Sequence, residues 1–172
     1  MSDSRKTSVL FLIVSVLALI LVLLVKHNYN FVRVSGDSMY PTLKSGDVAV
    51  LLKQGDPSRN GIIIFNAPKA WLKIWTGEPH PRFIKRIQGL PGDKLDWDGS
   101  VWYINDVRIS ALKTGTCKVP NSSIIIPKDY FFVTGDRQNG PTLDSRESFC
   151  RNIDFLVPRE NVVSFGKLIG NY

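Results

Sequence analysis

Residues Ser8 to Val25 read SVLFLIVSVLALILVLLV, 16 apolar residues of 18 with no charge, which argues against a purely water-soluble chain. As a helix rising about 1.5 Å per residue the run spans about 27 Å, close to the roughly 30 Å of hydrocarbon in a bilayer. A cleaved secretory signal has a shorter apolar stretch of about 7 to 15 residues and ends in a small-x-small site. The run is succeeded by KHNYNFVRV, with no such site. It therefore reads as an uncleaved signal anchor over 8–25, behind a short tail at 1–7. The rest of the 172-residue chain, 26–172, is long enough for one domain with a real core.

Orientation rests on size more than on charge. Arg5 and Lys6 on the short side face Lys26 and Arg33 on the other, nearly a tie, and whole domains translocate largely regardless of charge. The tail is expected on the cytoplasmic side of the membrane and the domain outside it. The formal net charge is +7, and the first 25 residues contribute two basic and one acidic side chain, so the domain keeps +6. That charge favours contact with anionic headgroups of the lipid bilayer. Nucleic acid is not expected as a partner, because no run of Lys and Arg is interleaved with aromatics.

Beyond the anchor, short apolar runs are punctuated by Gly, Pro, Asp and Asn. Strands are expected at 31–34, 47–52, 61–65, 82–88, 101–104, 124–126, 130–134 and 162–167. The fold class is mainly β: one domain of curled antiparallel sheets with one N-terminal transmembrane helix. Two segments break the pattern. In Ala70 to Trp75, AWLKIW, Trp71 and Trp75 stand four apart as on a helix, suiting either a membrane interface or a cover over one end of the core. The polar stretch from Gly140 to Pro158 reads as a long ordered loop.

Few residues can do chemistry. Two Cys and two His lie in no zinc-binding spacing, so no metal or other cofactor is expected. His27 sits at the membrane boundary and His80 in a PHP turn, so a hydrolase built on this chain needs a base other than histidine. A lysine serves if burial lowers its pKa toward working pH. A strand at 82–87 puts Phe83, Lys85 and Ile87 on one face, with Ile84 and Arg86 on the other. Periodicity alone leaves open whether Lys85 is buried or runs out to solvent from an edge. Arg86 stays protonated anywhere and cannot be a base. In SGDSMYPTL, Gly36 and Pro41 frame a turn that would present the Ser38 hydroxyl. Many serines in such turns are turn residues only.

Cys117 and Cys150, 33 residues apart, are the only cysteines. Outside the cytoplasm they would pair, tying the insert after Asp93 to the loop that carries Asp144 and Arg146.

In order along the chain, the anchor, SGDSMYPTL (35–43), SGDVAVL (45–51), FIKRIQGLPGD (83–93) and TGDRQNGPTLDSR (134–146) resemble the type I signal peptidases, membrane-anchored serine peptidases with a Ser/Lys dyad. The resemblance covers nearly the whole chain and implies Ser38 as nucleophile and Lys85 as general base. Gly36 stands where some members carry a serine that helps the oxyanion hole, so the oxyanion would rest on backbone amides at Ser38 and Gly36. Gly135 and Asp136 keep the start of the last motif and Asp144-Ser145-Arg146 its end. Its middle is one residue longer than usual, and Arg137 replaces a common asparagine. Thr142 falls where the family has a serine bonded to the catalytic lysine, and Asp144 with Arg146 would brace the site. Met39 and Phe83, beside the dyad, are expected next to the substrate.

The implied function is removal of signal peptides from exported preproteins with small residues at the first and third positions before the cut. Two alternatives stand beside it: a conjugation-specific relative that matures or cyclises a pilin subunit, and an inactive envelope-assembly scaffold. The self-cleaving repressors share Gly-Asp-Ser-Met and a lysine, but they place a DNA-binding domain where this chain has a membrane span.

Overall fold

In the computed structural model, which describes residues 2–53, 55–75, 77, 79–111, 117, 119–137 and 142–166, the apolar run forms part of helix α1 (Ser2–Asn28). Its segment from Lys6 to Asn28 is long and apolar enough to cross a bilayer. The apolar side chains from Val9 to Leu24 are exposed and join no protein core among the described residues. The helix outlasts the expected 8–25 at both ends, because the polar residues flanking the run also adopt helical backbone. At its C-terminus Asn28 Nδ2 donates to the Leu24 carbonyl at 2.8 Å.

The strands are β1 (Tyr29–Arg33), β2 (Val48–Leu52), β3 (Ile62–Asn66), β4 (Arg82–Gly89), β5 (Lys94–Trp97), β6 (Val101–Ile104), β7 (Val107–Ala111), β8 (Ser122–Ile125), β9 (Tyr130–Thr134), β10 (Val157–Pro158) and β11 (Val162–Gly166). A short helix α2 (Ser145–Cys150) lies between β9 and β10. A seven-stranded sheet runs in the order β1-β2-β11-β3-β4-β9-β10 and a four-stranded sheet in the order β7-β6-β5-β8. Every strand pairing among the described residues is antiparallel, so the expected mainly β class with one N-terminal apolar helix holds.

In the larger sheet β3 is buried along Ile62, Ile63, Ile64 and Phe65, because apolar clusters cover both of its faces. One cluster joins Ile63 and Phe65 to Trp71, Phe83, Ile87, Phe131 and Val133. The other joins Ile62 and Ile64 to Val34, Met39, Leu43, Ala49 and Leu51. Strand β4 lies between β3 and β9, far from either sheet edge, and buries Phe83, Lys85 and Ile87 in alternation. The alternation anticipated from sequence is therefore present, and the open question about Lys85 closes on burial. In the smaller sheet Trp97 and Trp102 pack with Phe132 of β9 and Phe149 of α2.

Three expectations change. Strand β5 alternates Leu95 and Trp97 inward with Lys94 and Asp96 outward, a pattern too short to stand out between two Gly-Asp turns. The stretch from Gly140 to Pro158 is not simply a loop: Asp144 caps α2 and β10 closes onto β9, while residues 138–141 lie outside the described residues. Asp144 and Glu147 have the spacing of a capping box, a start signal hidden in a polar segment. AWLKIW forms a single 3-10 turn over Trp71–Lys73 that buries Trp71 completely and leaves Trp75 36% exposed. Of the two alternatives for this segment, the core cover is correct for Trp71.

Candidate active site

Ser38 sits in the connection from β1 to β2. Val34 donates to the Asp47 carbonyl at 2.8 Å and accepts from the Gly46 amide at 2.9 Å, which closes the loop on itself. At Gly36 φ is +83°, a conformation a side chain would strain. After it the chain turns helically, with Tyr40 N donating to the Asp37 carbonyl at 3.0 Å and Leu43 N to the Met39 carbonyl at 2.9 Å. Met39 and Leu43, 1% and 0% exposed, anchor that turn in the core. Met39 is thus corrected: the turn directs its side chain into the cluster with Ile62 and Ile64, and it does not line the cavity in front of Ser38.

Lys85 is 2% exposed, and its Nζ lies 2.6 Å from Ser38 Oγ. Burial lowers its pKa to about 8; Asp144 and Asp136 work to raise it and Arg146 to lower it. A neutral amine is therefore accessible near neutral pH, and in that form the Ser38 hydroxyl donates to Nζ.

Behind the pair, Asp144 is completely buried and collects many donors. It accepts from Gly135 N at 2.9 Å, Thr142 Oγ1 at 2.7 Å and Arg146 Nη2 at 2.6 Å, and it caps α2 through Arg146 N at 2.9 Å. Burial opposes ionisation of this carboxyl, but the Arg146 charge and hydrogen bonds, Lys85 and the Gly135 amide outweigh it and hold the pKa below the usual carboxylate range. Arg146 also reaches the Gly135 carbonyl at 3.2 Å. The Asp144–Arg146 contact is a buried pair, not a surface one. The hydroxyl of Thr142 donates to Asp144 rather than meeting Lys85, so the expected direct bond is absent, and Asp144 acts on the lysine through its charge.

Two features hold the nucleophile turn against β4 and the segment after β9. The Ser38 carbonyl accepts from Arg137 N at 3.0 Å, and a Cβ placed on Gly135 would lie 2.5 Å from that carbonyl oxygen. Only a residue without a side chain allows the two backbones to meet there. Arg86, on the opposite face of β4 from Lys85, forms a two-bonded pair with Asp136 at 2.7 and 2.6 Å and also donates to Thr42 Oγ1 at 3.2 Å. The Asp136 hydrogen bond raises its pKa further, so its charge is permanent. Sequence reasoning dismissed Arg86 as a base and missed this bracing, although the alternation of β4 had placed it behind the lysine.

A cavity of about 600 Å³ opens in front of the pair, bordered by Gly36, Ser38, Phe83, Lys85, Thr142 and Leu143. Trp75, His80, Arg82 and Arg137 also line it. Phe83, expected next to the substrate, lines this cavity; Trp75, Arg137 and the turn residue His80 were not foreseen there. Cys117 and Cys150 form a disulfide, their Cα atoms 4.8 Å apart, at the far end of α2 from Asp144. Among the described residues no three His, Cys, Asp or Glu side chains group as a metal site.

Residues 5–169 match the family described as signal peptidase, peptidase S26. The chain is 28% identical over 170 residues to signal peptidase I T of Bacillus subtilis, covering 90% of this chain and 80% of that one. It is 31% identical over 128 residues to signal peptidase IB of Staphylococcus aureus, covering 61% and 62% respectively. A crystal structure of a signal peptidase I from Enterococcus faecalis is 20% identical and covers 67% of this chain and 98% of that one, with a TM-score of 0.42. The family match and the Bacillus and Staphylococcus relatives do not favour the pilin-specific or the inactive-scaffold alternative. The chain belongs to the signal peptidase family, peptidase S26, and is a serine peptidase that removes signal peptides.

Proposed function

We propose that Ser38 is the nucleophile and Lys85 the general base with which this peptidase cuts exported preproteins. The 2.6 Å approach of Nζ to Oγ, at an amine buried enough to lose its charge near pH 8, carries this reading. Neutral Lys85 takes the hydroxyl proton as Oγ attacks the scissile carbonyl carbon, and the resulting ammonium gives it to the departing amine. A water then attacks the acyl-enzyme, with Lys85 again taking the proton, and Ser38 is released. The oxyanion is served by backbone amides. The Ser38 amide meets no acceptor among the described residues, and the Gly36 amide makes only a long 3.3 Å bond to Ser45 Oγ. Asp144, Arg146 and Thr142 set the charge around Lys85, while Gly135 and Asp136 fix the backbone against Ser38. Small residues at the first and third positions before the cut suit a cavity walled by Phe83; prepilin is a narrower substrate that no feature of the cavity singles out.

Residues 8–25 serve as the membrane anchor, with 1–7 in the cytoplasm and 26–172 on the outer side of a bacterial cytoplasmic membrane. The disulfide supports that side, because such bonds persist in oxidising compartments.

The full-length enzyme in detergent, given a preprotein with an Ala-x-Ala site, tests the dyad. Ser38→Ala and Lys85→Met each lower single-turnover cleavage by at least about a thousandfold. The wild-type rate rises with pH through about 8, since the reactive lysine is the unprotonated one. A rate independent of pH between about 6 and 10, with the chemical step limiting, overturns the assignment.

A further inference from the structure

Phe83 packs against three rings. The fully buried Phe65 and Trp71 hold its ring at 5.8 and 5.9 Å between centroids. The partly exposed Trp75 meets it edge to face at 5.2 Å and 89°. Trp75 is in turn confined, because a Cβ on Gly77 would fall 2.5 Å from its Cζ2 and 2.9 Å from its Nε1. Gly77 lets the backbone press directly on the indole. An unbroken line of contacts then runs to the reacting atoms: Trp75 to Phe83, Phe83 to Lys85 Nζ at 5.8 Å, and Nζ to Ser38 Oγ at 2.6 Å. Trp75 and Ser38 border the same cavity.

We propose that Trp75 is a specificity-determining residue: its indole, wedged between Gly77 and Phe83, closes the cavity against any but a small side chain on the substrate residue just before the cut. This rests on the Ser38/Lys85 reading above. Phe83 cannot retreat into Phe65 and Trp71, and interiors packed at this density yield little. The space beside the scissile carbonyl is therefore set by where the indole stands. Its 36% exposure fits a wall that faces the cavity rather than a core ring.

The test uses the full-length enzyme and four signal-peptide substrates that differ only at the residue before the cut: Ala, Val, Leu or Phe. Wild type cleaves the Ala substrate best. Trp75→Ala raises the Leu-to-Ala ratio of kcat/KM by about tenfold or more, the scale on which pockets sort side chains by a methylene or two. Trp75→Phe leaves most of the discrimination in place. Gly77→Ala, which displaces the indole without deleting it, shifts the ratio the same way and adds nothing in the Trp75→Ala background. Circular dichroism and a thermal unfolding midpoint show whether each variant is folded. Unchanged ratios in Trp75→Ala and in Gly77→Ala, with wild type active, overturn the role of Trp75 and leave the dyad standing. A wild-type enzyme inert on all four substrates overturns both.

Discussion

Lys85 in the seven-stranded sheet and Trp102 in the four-stranded sheet are buried alike, 2% and 1% exposed. Each carries a polar nitrogen into the interior. Around Lys85 the surroundings are ionisable: Asp144, Arg146 and Asp136 act on its charge, and Ser38 touches it. Around Trp102 they are rings, with Phe149 at 4.6 Å and Trp97 and Phe132 at 5.0 Å, and its indole N–H has no partner among the described residues. An unpaired indole costs the same at every pH, whereas a buried amine answers by giving up its proton. Changes of charge near Lys85 should therefore move the pH profile, and changes in the smaller sheet only the stability.

Asp144→Asn should give the largest effect. The amide keeps the shape of the helix cap but strips the charge that faces Arg146, and an uncompensated buried guanidinium costs about 3 to 5 kcal/mol. Because Asp144 raises the Lys85 pKa, its loss should also move the acid limb of the pH profile below about 8. Denaturant unfolding and a pH–rate profile measure the two effects. Lower stability with an unmoved limb would mean that Asp144 acts only as a cap and that the two regions differ less than their charges suggest.

Opening the disulfide tests the other side. Replacing both Cys117 and Cys150 with Ser releases a closure of 33 residues, about 3 to 4 kcal/mol in the chain-entropy model. Both cysteines pack against the Trp97 and Trp102 cluster, and Cys150 ends α2 away from Asp144. The midpoint of denaturation should fall while the acid limb stays near pH 8. A shifted limb would show that α2 transmits changes between the two sheets.

Gly135→Ala isolates geometry from charge. The added methyl would start 2.5 Å from the Ser38 carbonyl oxygen, so either Ser38 or the segment at 135 must move. A displacement of about 1 Å at a reacting atom lowers the rate by about a hundredfold. Single-turnover kinetics should show that loss with the limb still near pH 8.

Strand alternation alone put Lys85 with Phe83 and Ile87, and that pattern survived because β4 is central and long enough to repeat. The Ser38 turn was legible from glycine and proline placement, but the fate of its neighbour was not. Met39 turns inward because the helical turn sets it one turn before Leu43, a local geometry that alternation does not encode. Thr142 was matched by counting along the chain, and its hydroxyl found a carboxylate two residues on instead of the amine across the fold. Helix α2 hid because its six residues, SRESFC, are too few and too polar for a periodic signal. The two tryptophans, identical in type and one helical turn apart, parted only when the chain closed over Phe83.

The smallest expected effect lies where the two sheets meet. Asp93, just before β5, accepts from Leu90 N at 2.6 Å, Asn105 Nδ2 at 2.8 Å and Arg59 Nη2 at 2.8 and 2.9 Å. Burial works to raise its pKa, but the Leu90 amide, Arg59 and Asn105 together hold it below the usual carboxylate range. A carboxyl depressed in the fold adds stability above its unfolded pKa near 4 and loses it as pH falls through the folded value. Arg59 is 40% exposed on its side chain, so solvent screens the pair and Arg59→Met should cost only about 1 kcal/mol at pH 7. That difference from wild type should start to shrink as pH falls below about 4, where Asp93 of the unfolded chain takes up its proton, and close as pH passes the lower folded value. Because neither Arg59 nor Asp93 is among the charges that act on Lys85, the acid limb near pH 8 should not move. Urea unfolding of both proteins at pH 7 and pH 3, with one pH–rate profile, checks each part. A stability gap as wide at pH 3 as at pH 7 would assign the Arg59 contribution to packing of its stem and its bond to the Gln88 carbonyl rather than to the ion pair.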